Sequence, residues 1–407
     1  MGANFNITDK RYEFTQNSKL ISYVMIAIGM VAIITSFVTH SHQAWSNLLI
    51  NNIFFMVIAL GGLFFLAVQY AAEVGWSVGI RRVPEAMAMY LPWGAALMTI
   101  ILIGNYIAGH SSGHYLYHWW HHDLFNPESP EFDHIIAGKS GFLNMPFFIA
   151  RVAFYFIVWI GFAMYFRKLS RQQDSAPNGS ELHLKMRSAS YKFLVLFAVT
   201  SSMMAWDFIM SIDTHWYSTL FGWYTFASLF VSCIAVMAIM IVSMKRKGLM
   251  DHVNEHHLHN VGLFLFAFSV FWTYLWFSQF MLIWYSNIPE EVAYFMIRQD
   301  HYRAFWIATF FINFIAPLLL LMTRDAKRKP VLLLVIGALV FVGHWMDFFQ
   351  MITPGVVGSE WHCGWMEIGT AVGFLGLFRY VALNQISKAA LVPRNDPFME
   401  ESLQHTF

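Results

Sequence analysis

Apolar residues run along this chain in long blocks, separated by polar segments that carry most of its charge. Ten blocks are long enough to cross a hydrocarbon core of roughly 30 Å at about 1.5 Å per helical residue. They fall at 20–38, 50–72, 86–109, 143–166, 190–212, 219–243, 260–285, 302–322, 330–353 and 365–383. The pattern predicts an all-α polytopic membrane protein, with a tail at 1–19, a ten-helix membrane domain at 20–383 and a second tail at 384–407. Composition agrees: of 407 residues 57% are hydrophobic and 12% charged, too little polar surface to cover a soluble domain.

Charge then orients the spans. The first tail, the loops after helices two, four, six and eight, and the last tail hold 19 of the 25 Lys and Arg residues. The odd-numbered loops hold two, Lys139 and Arg298. This asymmetry puts both termini in the cytoplasm. The polar N-terminus has no signal-peptide pattern, so helix one is expected to be retained. Net charge of +1 gives no electrostatic footprint for nucleic acid, and membrane lipid is the expected surrounding. The two cysteines, Cys233 and Cys363, form no disulfide framework and no haem, zinc or iron–sulfur motif. No covalently bound cofactor is expected, and any electrons must travel on another subunit.

The longest loops are 110–142 and 167–189, with a flexible polar linker expected at 172–180. The last tail reads as a docking strand or a loose end. DFIMSI at 207–212 and DFFQMI at 347–352 lie four helices apart, as a parallel repeat of helices two to five and six to nine would place them.

Ionisable groups inside apolar helices usually mark an ion or substrate pathway. Asp207, Asp347 and His344 lie in the outer halves of helices five and nine, with His344 and Asp347 on one helix face. Arg151 lies in helix four, Glu367 near the outer end of helix ten, and Gln69 and Glu73 form a sparse inner set on helix two. An internal ion pair such as Arg151 with Asp207 is the structural reading. The functional one is proton relay by Asp207, His344 and Asp347, with Arg151 tuning an aspartate and Glu367 in the same cluster. Asp213, His215 and Tyr285 in the outer loops could line a pocket for a quinone headgroup.

Histidine clusters at 110–114, 118–122 and 252–257 raise the rival of a membrane di-iron desaturase. The predicted topology places the first two outside and the third inside, so they could not share a metal site.

WDFIMSIDTHWYSTLFG at 206–222, FWTY at 271–274, SQF at 278–280, IWYSNIPEE at 283–291 and HWMD at 344–347 resemble the NrfD/polysulfide-reductase-type membrane subunits of alternative complex III. Length and span number resemble its F-type subunit. The resemblance implies two four-helix bundles, helices two to five and six to nine, and a role in quinol:cytochrome c or other electron-acceptor oxidoreduction. It implies as partners an iron–sulfur subunit, multihaem and monohaem cytochromes c, and a homologous C-type membrane subunit that is the stronger candidate for quinol oxidation. The expected function is proton transfer or translocation, with quinol binding near the outer face of a bacterial inner membrane. A stand-alone secondary transporter and a purely structural anchor remain the alternatives.

Overall fold

The computed structural model describes residues 10–406. Among them ten helices are long and apolar enough to cross a membrane, numbered here in chain order. They are α1 (Gln16–Thr39), α2 (Ser41–Ala71), α3 (Arg82–Ser112), α4 (Met145–Gln173) and α5 (Gly179–Ile212), then α6 (Phe221–Arg246), α7 (Glu255–Ser286), α8 (Arg303–Leu320), α9 (Pro330–Val357) and α10 (Trp365–Ile386). The chain is a multi-pass, all-α membrane protein.

Each predicted block lies on one helix and overhangs it by at most two residues at either end, but several helices begin earlier. α2 starts at Ser41 rather than 50 because its polar first turns have partners inside the protein. Gln43 and Asn47 both donate to Glu367 Oε1 at 2.9 Å, and Asn51 accepts from Trp345 at 2.9 Å. α4 and α5 likewise run on to Gln173 and back to Gly179, so both ends of the expected linker at 172–180 are helical and the loop shrinks to 174–178. The remaining turn is fastened by Asn395, whose side chain donates to the carbonyls of Gln173, Asp174 and Ala176.

Helices α2 to α5 form one four-helix bundle and α6 to α9 a second. α2 and α6 meet at the centre, where 89% and 83% of their most apolar stretches are buried, against 22% for peripheral α1. α1 pairs with α10 through facing glycines: a Cβ on Gly29 would come 2.3 Å from Gly373 Cα. Small residues allow this close backbone approach, a recurrent way of packing helices in lipid. α10 then rests on α2 and α3.

The N-terminal segment, the loops after α2, α4 and α6, and the last tail gather at one end of the molecule, here the basic end. The tail is a docked strap. Arg11 and Ala390 form an antiparallel bridge, buried Asp396 accepts from Arg81 at 2.9 Å, and Ser402 donates to the Trp76 carbonyl at 3.0 Å while accepting from Gly79 N at 3.1 Å. The strap thereby ties the loop after α2 to the start of α7, where Asn254 donates to the His405 carbonyl at 2.8 Å.

Two strap-side histidines make this closure pH-sensitive. Burial lowers the pKa of His252, whose Nε2 contacts the Gly79 carbonyl at 2.8 Å, and burial followed by neighbouring His256 lowers that of His405. Lys10, Lys245, Asp251 and Glu401 are the charged groups that also act on the pair. Because the released state binds the extra protons, closure is complete above the ordinary imidazole value of 6.5 and weakens as pH falls below it. Hydrogen exchange of residues 396–406, corrected for its intrinsic pH dependence, should therefore be faster at about pH 5 than at about pH 7.5. Equal protection at both would contradict this account.

Candidate functional site

The opposite end of the second bundle holds a carboxylate of unusual environment. Asp347 is buried on α9, in a run from Asp347 to Pro354 that is buried throughout. Its Oδ1 accepts from Tyr224 of α6; its Oδ2 accepts from Ser228 of α6 at 2.7 Å and from Trp272 Nε1 of α7 at 3.0 Å. These three donors are neutral. The nearest basic group is His344 one turn away, its Nδ1 3.6 Å from Oδ2. His344 is fully buried and neither ring nitrogen has a hydrogen-bond partner. A carboxylate so held can gain or lose a proton without breaking an ion pair, and the imidazole beside it can exchange one.

Beside His344, α8 loosens into a π-helical turn at Phe311–Ile315. Gly343 makes room for it, since a Cβ there would lie 2.1 Å from Asn313 Oδ1. Asn313 is buried with neither amide atom bonded. Turns of this kind recur at functional sites.

A small cavity opens from Asp347 toward the outside of the bundle, lined also by Tyr224, Gln279, Tyr294, Arg298 and Gln350. Its volume of about 20 Å³ is room for roughly one water molecule. Arg298 and Tyr294 belong to a short helix, Pro289–His301, that lies between α7 and α8. The buried Arg298 guanidinium is fixed by the carbonyls of Gln350 at 2.9 Å and Tyr294 at 2.6 Å, and donates to Asp213 at 3.2 Å. It also lies 3.3 Å over the Tyr294 ring, which stacks on Trp216 at 3.8 Å.

Tyr294 also borders a vestibule of about 500 Å³ beyond. His42, His114, His118, His121, His215 and Asp213 line it. Burial, helped by neighbouring His121 and His215, lowers the pKa of His118. His215 pairs with Asp133 at 2.6 Å. The Asp133 carboxyl is held below its usual range: burial acts to raise it, and the Ile135 and Ile136 backbone donors together with His215 outweigh that.

Asp207 has a different environment. Arg151 holds it from two sides, Nε to Oδ2 at 2.9 Å and Nη2 to Oδ1 at 2.7 Å, and Tyr155 donates to Oδ2 at 2.5 Å. The guanidinium lies 4.0 and 4.2 Å from the ring centres of Phe142 and Phe147. This bidentate pair locks α4 to α5, with every carboxylate oxygen already engaged. The structure thus brings Arg151 to Asp207 and His344 to Asp347, but in separate bundles.

The remaining sequence candidates divide similarly. Glu367 is a clamp: Oε2 accepts the Gly364 N–H at 2.7 Å and caps α10, while Oε1 binds α2 through Gln43 and Asn47. Glu73 lies beyond the end of α2, not within it, because its backbone turns left-handed (φ 51°) and its side chain pairs with Arg187 at 2.5 Å at the basic end. Gln69 is buried in α2 with Oε1 unbonded, and the two do not form an inner half-pathway. Asp213 and His215 share the vestibule, whereas Tyr285 is 83% exposed and outside it. The vestibule has the volume for a quinone headgroup, but its two sequence-derived polar contacts are already paired with Arg298 and Asp133. The donor set fits proton handling better than headgroup binding. Of the histidine clusters, the first two border the vestibule, while His252 and His257 face the strap at the basic end.

Sequence reasoning missed Arg298, Tyr294, Tyr224, Ser228 and Trp272. The first two were legible: Pro289 followed by Glu290 and Glu291, with Arg298 and His301 in the last turn, is a helix start and stop. The other three are neutral donors without a charge signal. No protein-family model and no curated protein sequence matches this chain. The quinol-linked reading therefore rests on the motifs quoted above.

The locked pair gives a direct test. Arg151→Met should leave Asp207 buried without its cation and destabilise the protein by about 3–5 kcal/mol, read as a lowered melting temperature in detergent. Arg151→Met with Asp207→Leu should recover much of that loss. If the double variant is no more stable than the single one, the pair is not the lock described.

Proposed function

We propose that this chain is an integral membrane subunit of a respiratory quinol-oxidising complex of the alternative complex III type, in a bacterial inner membrane with both termini cytoplasmic. Its own chemistry is proton transfer near the outer face, through Asp347 and His344. Electrons pass through partner subunits: an iron–sulfur protein and multihaem and monohaem cytochromes c. Quinol oxidation is assigned foremost to the homologous C-type membrane subunit.

One observation carries the assignment of chemistry to Asp347. It is buried, lacks a permanent cation, and borders a cavity that shares Tyr294 with the vestibule. Inward of His344 on α9, buried Leu333, Ile336 and Val340 are apolar. The arrangement supports a half-path open to the outer side, in which His344 and Asp347 exchange a proton and the vestibule imidazoles disperse it. Arg298 donates to Asp213 at the junction and limits the passage of free cations by its charge.

The test uses the complex purified in mild detergent and reconstituted into vesicles. Asp347→Asn should leave subunit content and haem absorbance unchanged and lower quinol-dependent proton release about a hundredfold. Undiminished release with intact assembly would make the chain a structural anchor. A chain that purifies alone, with no haem absorbance, would point instead to a secondary transporter.

A further inference from the structure

On the basic end, away from the proton site, a recess of about 570 Å³ opens between α4 and the end of α10. Arg167, Lys168, Arg171 and Lys388 line it, with Met89 and Met164 at its membrane-facing side. We propose that this recess binds the headgroup of an anionic phospholipid, with cationic charge sufficient for two phosphates. The proposal is independent of the quinol reading.

The recess carries an excess of cations that converge on one hollow. Behind it, buried Glu85 accepts from Arg82 at 3.1 Å and Arg167 at 2.8 Å, and Arg82 also meets Asp174 at 2.5 Å. Two cations and two carboxylates cancel there. Elsewhere at this end Lys185 pairs with Glu181, Arg187 with Glu73, Arg81 with Asp396 and Lys10 with Asp251. Among the described residues Lys168, Arg171 and Lys388 have no such carboxylate, and no acidic side chain lines the recess. The Arg167 side chain is 93% buried, and its Nε has no hydrogen-bond partner. Cation excess in cytoplasmic loops alone orients a membrane protein, but does not require unpaired charges to converge on a hollow.

The apolar side selects a lipid over a free anion. Met164, Lys168 and Arg171 follow one face of α4, so the cations sit directly above an apolar strip. That strip continues as exposed Met164 and Ile157 on α4 and as exposed Trp93 and Ile100 on neighbouring α3. Acyl chains can descend along these helices while phosphates remain at the level of the cations, as in basic pockets between helices that take multiply charged lipid headgroups.

The test is native mass spectrometry of the purified protein, with whatever subunits accompany it, titrated with tetraoleoyl cardiolipin, dioleoylphosphatidylglycerol or dioleoylphosphatidylcholine. One cardiolipin should be retained in preference to the zwitterionic lipid. Lys168→Gln with Arg171→Gln should weaken that retention about thirtyfold, about fivefold per cation. Lys247→Gln with Arg246→Gln, an equal charge change outside the recess, should not. Equal loss in both double variants, or equal retention of all three lipids, would overturn the proposal. A parallel thermal-shift titration with inorganic pyrophosphate separates the sources: stabilisation matching that by cardiolipin, and lost in the same variant, would identify a free-phosphate site and overturn the lipid assignment.

Discussion

A carboxylate carried away from water must be matched within the protein, and the way each one is matched organises this molecule. Glu367 is matched by amides and a backbone N–H, which fastens α10 to α2. Glu85 is matched by two arginines, which fastens α3 to α4 at the basic end. Asp207 is matched by one bidentate arginine, which fastens α4 to α5. Asp347, like Glu367, is matched by neutral donors, and among these four it has an imidazole, His344, beside it. Glu85 and Asp207 are held in ion pairs and Glu367 caps α10, so these three fasten helices to one another.

Two bundles of the same helix count therefore carry unequal roles. The repeat suggested by DFIMSI and DFFQMI sets Asp207 and Asp347 on corresponding helices, α5 and α9, but the helices that face them differ. α4 supplies Asp207 with Arg151 and Tyr155, whereas α6 and α7 supply Asp347 with Tyr224, Ser228 and Trp272. α8, the counterpart of α4 in such a repeat, has Asn313 on a π-helical turn near His344 instead of an arginine against the acid. Where α4 offers Asp207 a cation, α8 offers a neutral amide next to Gly343. The short helix Pro289–His301 then places Arg298 outside that centre, on the vestibule side.

The fold was largely legible because lipid imposes a simple code: a long apolar block crosses, and a basic loop marks one end. The ends of helices were less legible, since polar residues such as Gln43 and Asn47 read as loop until Glu367 of a distant helix is placed beside them. Glu73 shows the opposite error, an acid assigned to a span when its left-handed backbone had already ended the helix. Within the site, charge identified Asp347 and His344 but could not rank them against Asp207. The ranking depends on which neighbour is a cation and which a phenol or indole, and that is a property of helix packing rather than of the local sequence. The strap could be read only as a strand or a loose end, because its anchors, Arg81, Gly79 and Asn254, lie more than a hundred residues away along the chain.

The depth of α2 at the centre has a consequence for biogenesis. It is the second helix to leave the ribosome, yet its neighbours α3, α5, α6 and α9 are made later. Until they arrive, Asn47, Asn51 and Asn52 have neither Glu367, Trp345 nor the Gly94 carbonyl to bond. An apolar helix bearing several unsatisfied amides is one that insertion machinery must shelter or that must wait near the interface. α2 is thus completed only when α10 has been synthesised, and the strap that follows α10 closes the basic end.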